Sequence, residues 1–255
     1  MIRKTHMRKY LILIATLVVI GVNAAANIVP INGVNTGQVS ASYPTGFTPA
    51  GWVFAIWSLI YLGLIAFSIF AIRATPVQTT RVRRIEAAYL VSCVANAVWI
   101  FMWHYGFILA SLVFMLVLLA SLVVVYVKLR RTAPLSLGER LCVDMPFSLY
   151  LGWITTATLA NLAAWFYDLK KYPFDLPMDE WAIITVVVAT AIYTAVGVRT
   201  RDAIYTAVFA WAAAGIVLQT LPTTQAVRLA AAAGCVVAVL VTLTSAAQRR
   251  MVPRR

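Results

Sequence analysis

The sequence predicts an all-α polytopic membrane protein, a transmembrane helical bundle of about eight spans. Of the 255 residues, 62% are apolar and only 11% are charged. A water-soluble globule of this size needs more polar surface than that. Long apolar runs follow one another along the chain, and basic residues cluster between alternate runs, which is the usual pattern of membrane topology.

Eight segments approach the length needed to cross a bilayer. A spanning helix requires about 20 apolar residues. The candidate spans are roughly residues 10–30, 50–72, 86–105, 107–127, 145–167, 181–198, 203–220 and 225–247. Because the turn at residues 104–106 is very short, the third and fourth spans should form an antiparallel hairpin.

The basic residues predict the orientation. They fall at alternate junctions, in the groups Arg3, Lys4, Arg8, Lys9; Arg73, Arg81, Arg83, Arg84; Lys128, Arg130, Arg131, Arg140; Arg199, Arg201; and Arg249, Arg250, Arg254, Arg255. The opposite side holds Lys170, Lys171 and Arg228, together with a group of acidic residues. By the positive-inside rule, we expect both termini in the cytoplasm and the protein in the plasma membrane, here a bacterial inner membrane.

The first span has a second interpretation. A basic start, an apolar stretch and the small residues Ala24, Ala25 and Ala26 also describe a secretory signal peptide, whose removal would take away residues 1–26. The apolar character resumes at Ile28, and Asn23 and Asn27 lie one turn apart, as expected for residues that face a partner helix. The sequence favours a retained span and leaves cleavage open.

Several functional classes find no support in the residues. The interiors of the predicted spans contain no ionisable side chain, which disfavours a transporter coupled to buried carboxylates. No catalytic triad, paired carboxylates, zinc motif or phosphate-binding loop is visible. The cysteines Cys93, Cys142 and Cys235 are far apart and show no metal-ligand spacing. The two histidines, His6 and His104, are expected at membrane surfaces. We therefore expect no metal, no required cofactor and, because the basic residues form no continuous patch, no nucleic-acid partner.

Aromatic and amide side chains recur at helical spacing in three spans. The stripes are Phe54, Trp57, Tyr61 in the second span, Asn96, Trp99, Trp103 in the third, and Tyr150, Trp153, Ala157, Asn161 in the fifth. Helix packing would account for any one of these residues. The three stripes together favour an intramembrane pocket for a flat, largely apolar ligand, bound by Trp57, Tyr61, Asn96, Trp99, Trp103, Tyr150, Trp153 and Asn161.

Three stretches resemble the TspO/MBR family, the tryptophan-rich sensory proteins related to the mitochondrial translocator protein. They are TPAGWVFAIWSLIYLGL at residues 48–64, ANAVW followed by Phe101 at residues 95–101, and PFSLYLGWITTATLAN at residues 146–161. The family's Pro-Pro pair is here Pro49-Ala50, and the intervals around Trp52 and Pro146 also differ from its pattern. The resemblance covers the first five spans.

The resemblance implies a five-helix bundle over residues 1–175, with a pocket closed by the first loop at residues 30–49, and three additional transmembrane helices over residues 176–255. It implies binding of porphyrins, sterols or synthetic aromatic ligands. Trp57 and Trp153 match tryptophans that the family associates with porphyrin binding and light-dependent breakdown. From the residues alone, the loop is either a lid or a plain connector.

The sequence leaves several functions open. The first is a membrane receptor or carrier for a tetrapyrrole or another apolar aromatic molecule. The alternative is a facilitative transporter or exporter, to which a short echo between Asn96 and Asn161 lends some support. Enzymatic activity is not expected, apart from ligand-centred porphyrin photodegradation. The sequence predicts that the lipid bilayer is a partner, and it leaves a homodimer open.

Overall fold

Eight long helices make up most of the chain. The computed structural model describes residues 2–251, with side chains described for residues 10–248. The helices are α1 Ile2–Ile28, α2 Ile56–Arg73, α3 Pro76–His104, α4 Ile108–Arg130, α5 Met145–Asp168, α6 Met178–Thr200, α7 Ala203–Val217 and α8 Gln225–Met251. Only short helical turns lie between them, and this part of the chain contains no β-strand. The predicted all-α class is confirmed.

The two ends of the chain, which hold some of the predicted basic clusters, are not described at the level of side chains. His6 and the basic clusters at residues 3–9 and 249–255 lie outside the residues whose side chains are described.

The hairpin of the third and fourth spans is confirmed, because α3 ends at His104 and α4 begins at Ile108. Gly106 allows this tight turn, since its φ of 75° is in the left-handed region that favours glycine.

Six helical segments in the described chain are long and apolar enough to cross a membrane. They are Tyr10–Ile28, Gly51–Arg73, Pro76–His104, Ile108–Arg130, Met178–Thr200 and Gln225–Gln248. The other two predicted spans are also helices but differ in character. The α5 helix has 24 residues and carries a row of buried serine, threonine and asparagine side chains. The α7 helix is apolar but has only 15 residues, which at about 1.5 Å per residue is shorter than a bilayer core.

The start of α3 differs from the sequence-based expectation. The apolar pattern predicts a start near residue 86, whereas the helix begins at Pro76. Thr75 and Gln78 form a capping box, in which the Thr75 hydroxyl accepts from the Gln78 backbone N–H and the Gln78 side chain accepts from the Thr75 backbone N–H. Pro76 occupies the first helical position, where a missing N–H costs nothing. The basic turn that follows is therefore helical.

The described chain forms two compact units. The first contains α1 with the chain up to Thr36, and Ala55–Ile154. The second contains Gly37–Phe54 and the chain from Thr155 through α8. The α5 helix thus contributes to both units. Most of the first loop belongs to the same unit as the last three helices.

Buried polar and aromatic contacts hold the helices of the first unit together. The Thr16 hydroxyl of α1 is hydrogen-bonded to the hydroxyls of Ser68 in α2 and Tyr89 in α3. The Phe67 ring lies edge-on to Tyr89 and Phe147, with centroids 5.0 and 4.9 Å away. Interhelical hydrogen bonds of this kind stabilise helix pairs in a medium that offers no competing water.

The helices of the second unit pack through small residues and stacked rings. A Cβ at Gly197 of α6 would lie 2.5 Å from Thr206 and 2.6 Å from Val241, so α7 and α8 approach this helix closely. Tyr193 of α6 stacks on Tyr205 and Phe209 of α7, with centroids 4.7 and 4.8 Å away. Close approach at glycine is the usual way in which membrane helices gain packing contacts.

Candidate ligand-binding site

Trp57 lies at the centre of an aromatic cluster in the first unit. It occupies the first turn of α2 and is only 7% exposed. Its ring centroid is 5.5 Å from that of Tyr61, 5.9 Å from that of Trp99, and 6.1 Å from those of Tyr150 and Trp153. These distances are within the range at which aromatic rings attract one another. Rings from α2, α3 and α5 therefore meet at one place.

Helical spacing explains how each helix presents its rings. Trp57 and Tyr61 are four residues apart and stack on the same face of α2. Trp99 and Trp103 have the same spacing on α3, and their rings stack with centroids 6.4 Å apart. Trp99 and Trp57 are inclined by only 29°, whereas Trp153 meets Trp57 edge-on at 83°. The cluster thus offers both flat ring faces and ring edges.

A chain of hydrogen bonds adjoins the rings. Asn96 is fully buried in α3 and donates from Nδ2 to the Tyr150 hydroxyl at 2.8 Å. Its Oδ1 accepts from Asn23 Nδ2 of α1 at 2.7 Å. The prediction that Asn23 faces a partner helix is therefore confirmed. Because an unpaired amide in an apolar interior costs about 1–3 kcal/mol, these bonds fix the relative positions of α1, α3 and α5.

The Tyr61 hydroxyl differs from that of Tyr150. Its oxygen is buried, and within the described part of the chain it has no hydrogen-bond partner. A buried hydroxyl without a partner is energetically unfavourable.

The structure brings seven of the eight predicted site residues into one cluster. They are Trp57, Tyr61, Asn96, Trp99, Trp103, Tyr150 and Trp153, all in the first unit. The eighth, Asn161, is also buried, at 2% exposed, but it belongs to the second unit. Their roles in binding remain predictions that rest on this placement.

The first loop is fixed to the end of α3 through His104. This residue is the last of α3, at the end of the predicted third span, and it is buried within the protein. Its Nδ1 lies 3.1 Å from the Ile31 carbonyl oxygen and its Nε2 lies 3.1 Å from the Thr36 hydroxyl. Because a carbonyl only accepts, Nδ1 donates to Ile31, while Nε2 shares a hydrogen bond with the Thr36 hydroxyl. Asn32 Nδ2 also donates to the His104 carbonyl at 3.0 Å.

A buried ion cluster around Arg81 was missed by reasoning from the sequence. Arg81 is 7% exposed and Glu139 is fully buried. The guanidinium donates to Glu139 at 3.0 Å and to both carboxylate oxygens of Asp144. Its remaining N–H groups donate to the Leu129 carbonyl and the Thr132 hydroxyl. All five donors are satisfied, which is what a buried guanidinium requires. In the sequence, the only sign of this cluster is the acidic pair Glu139 and Asp144, which lies on either side of the basic residue Arg140.

The fold and the cluster define a multi-pass helical membrane protein with a group of aromatic rings in contact among its helices. Residues 9–244 match the family model described as TSPO-like protein. The chain belongs to this TSPO-like family, and the matched interval extends through the last three helices as well as the first five. No curated protein and no solved structure gives a significant match.

Proposed function

We propose that this protein is a membrane receptor or carrier that binds a flat amphipathic molecule, such as a porphyrin, among the rings around Trp57. The observation that carries the proposal is the convergence of four rings from three helices on one tryptophan. Stacked and edge-on rings provide the large apolar contact that a tetrapyrrole needs. Membership of the TSPO-like family supports a ligand-binding or transport role.

Binding requires the rings to separate. In this structure the Trp57 ring contacts each of the rings of Tyr61, Trp99 and Trp153 directly. Each aromatic contact contributes about 0.5–1.5 kcal/mol, so a planar ligand that inserts against Trp99 replaces the contact that it breaks. The Tyr61 hydroxyl would then donate to a polar group on the ligand.

The proposed setting is the plasma membrane, with both termini in the cytoplasm. The basic residues at alternate junctions support this orientation. The protein requires no cofactor in this proposal, because the porphyrin is its ligand.

Titration of the purified protein with protoporphyrin tests the proposal. Bound porphyrin should quench the fluorescence of the clustered tryptophans, and the quenching should saturate at micromolar ligand. A double variant, Trp57→Ala with Trp153→Ala, should lose most of the affinity. Unchanged binding in a folded double variant would place the ligand elsewhere.

A facilitative transporter is the second candidate. The structure places Asn96 and Asn161 in different compact units, each buried on a long helix. The short sequence echo around these two residues is of the kind that internal repeats of transporters leave. Proteoliposomes separate the two functions, because a facilitative transporter lets porphyrin enter the lumen of the vesicles until the concentrations inside and outside are equal, whereas a receptor shows saturable binding without net uptake.

A further inference from the structure

A narrow cavity lies between α5 and α6 in the second unit. Its lining comes from both helices, from Tyr172 in the loop that joins them, and from Thr45 of the first loop. All of these residues belong to the second compact unit, and the cavity has a volume of about 80 Å³. The aromatic cluster around Trp57 belongs to the first unit and shares no residue with this cavity.

The cavity extends along the helices for about the depth of one membrane leaflet. On α6 its lining runs from Met178 to Val188, a rise of about 15 Å at 1.5 Å per residue. On α5 it runs from Leu159 to Phe166. The Phe166 ring lies 5.5 Å from that of Trp181, so the end of α5 is beside the start of α6. Half of a hydrocarbon core of about 30 Å is also about 15 Å.

Three polar groups at the cavity are already hydrogen-bonded within the protein. The Thr185 hydroxyl donates to the Trp181 carbonyl at 2.7 Å, and Trp181 Nε1 donates to the Pro173 carbonyl at 2.9 Å. The Thr45 hydroxyl is 3.2 Å from that of Thr48. The rest of the lining from the two helices is aliphatic and aromatic, a surface that holds no water. A hydrocarbon is the class of molecule that fits.

The cavity is open toward the surroundings of the helices. Leu159, Ala163 and Ile184 are half-buried, and Val188 is 42% exposed. In a bilayer these surroundings are acyl chains, because the α6 segment Met178–Thr200 is long and apolar enough to cross the membrane. A small volume spread over this length suits one flexible chain, and it is too narrow for a rigid fused-ring molecule.

Charged residues stand at the end of the cavity where a lipid headgroup would lie. Tyr172 lines this end and is of a type enriched at membrane interfaces. Lys170 and Lys171 directly precede it and are exposed. Asp175 and Asp179 follow in the same segment, so its charge does not select for an anionic headgroup. The phosphate that all phospholipids share is a group that lysine binds.

We propose that the cavity binds one acyl chain of a phospholipid, whose phosphate lies beside Lys170 and Lys171. Van der Waals contacts hold the chain, because it exchanges one hydrocarbon environment for another and gains little from the hydrophobic effect. The bound lipid is a resident component of the second unit that fills the space between α5 and α6. This lipid site is independent of any ligand at the Trp57 cluster.

Native mass spectrometry of the full chain tests the site. Protein purified in detergent is incubated with phosphatidylcholine in mixed micelles, and the wild type should retain this lipid under activation that removes the detergent. Ala163→Phe places a ring in the cavity and should lower the retained fraction by about tenfold or more, because the chain loses its packing contacts. The matched control is Ala195→Phe, since Ala195 is an exposed residue of α6 that does not line the cavity.

The control should retain the lipid at the wild-type level. Equal retention by the wild type and a folded Ala163→Phe protein overturns the site, as does a wild type that retains no phosphatidylcholine. If Ala163→Phe does not fold, Leu159→Phe gives the answer, because it fills the same cavity at the end far from the loop. That variant should also lose the lipid, and unchanged retention overturns the site.

Brominated phosphatidylcholine tests whether the acyl chain is the part that enters. Bromine atoms on the chain quench tryptophan on contact, and Trp181 lines the cavity. The difference in fluorescence between the wild type and Trp181→Phe isolates the emission of Trp181. Quenching of this emission should saturate with added lipid and should be lost in Ala163→Phe. Quenching that rises without saturation in both proteins reports contact with bulk lipid alone and overturns the site.

Two competitors separate the chain from the headgroup. Glycerophosphocholine has the headgroup without an acyl chain and should not displace the brominated lipid. Oleate has a chain without a phosphate and should displace it only weakly. Displacement by glycerophosphocholine overturns the acyl-chain site, and displacement by oleate as effective as that by unlabelled phosphatidylcholine overturns the role of the two lysines.

Discussion

Trp57 of α2 and Trp99 of α3 lie stacked, with ring centroids 5.9 Å apart and planes inclined by 29°. The two residues come from different helices, so the near-parallel arrangement is a property of the tertiary fold. Porphyrin is planar, and two parallel indole faces are suited to hold it once they separate.

Replacing Trp57 with phenylalanine should weaken protoporphyrin binding by about tenfold, because part of the central ring surface is lost at roughly 0.5–1.5 kcal/mol per aromatic contact. Fluorescence quenching measures the affinity. Leu59→Ala is the control, since Leu59 lies on the same helix and is 56% exposed. Equal losses in both variants would mean that the ligand does not distinguish the cluster from the lipid-facing surface.

The Asn96–Tyr150 hydrogen bond should contribute to stability. Asn96→Ala removes a partner from both Asn23 and Tyr150, at a cost of about 1–3 kcal/mol in the free energy of unfolding. A double-mutant cycle with Tyr150→Phe should give a coupling energy of about 0.5–1.7 kcal/mol in detergent unfolding experiments. Strict additivity of the two changes is the result that contradicts this bond.

The buried charge cluster around Arg81 should contribute more to stability than the Asn96–Tyr150 hydrogen bond. Arg81→Ala leaves Glu139 buried without its cation and should destabilise the protein by about 3–5 kcal/mol. Arg81→Lys should rescue little, because an ammonium cannot reach the five acceptor contacts of the planar guanidinium.

Thermal unfolding in micelles measures both Arg81 variants. Arg84→Ala serves as the control, since Arg84 is an exposed arginine in the same turn of α3. A full rescue by lysine would show that charge alone, without the hydrogen-bond geometry, stabilises this region.

His104 should control the start of the first loop independently of the second half of the loop, residues 43–54. His104→Ala removes the contacts to Ile31 and Thr36, so hydrogen exchange at residues 31–36 should rise while exchange at residues 43–54 stays unchanged. Tyr105→Ala, a change at an exposed neighbour, should leave both segments as in the wild type. Parallel changes in both segments would contradict separate attachment of the two parts of the loop.

The helical fold could be predicted because the bilayer imposes a strong and simple constraint on composition and length. The helix ends were harder to predict. Pro76 begins α3 well before the apolar run, and the signal is the Thr75–Gln78 capping box rather than hydropathy. The short α7 helix also departs from the expected span length.

The aromatic cluster could be predicted because residues three and four apart share a helix face, as Trp99 and Trp103 do. Contacts between distant parts of the chain could not. Nothing in the spacing of Val53 and Gly215 shows that one fills the space left by the other. In the same way, the pairing of Arg81 with Glu139 depends on how α3 packs against the chain that follows α4.

A structure of the protein with protoporphyrin bound tests the central claim most directly. We predict that the porphyrin plane lies against Trp99 and that the ring centroids of Trp57 and Trp99 are more than their present 5.9 Å apart. The Tyr61 hydroxyl should contact a polar group of the ligand. A porphyrin held on the lipid-facing surface, with the rings around Trp57 still in contact, would contradict it.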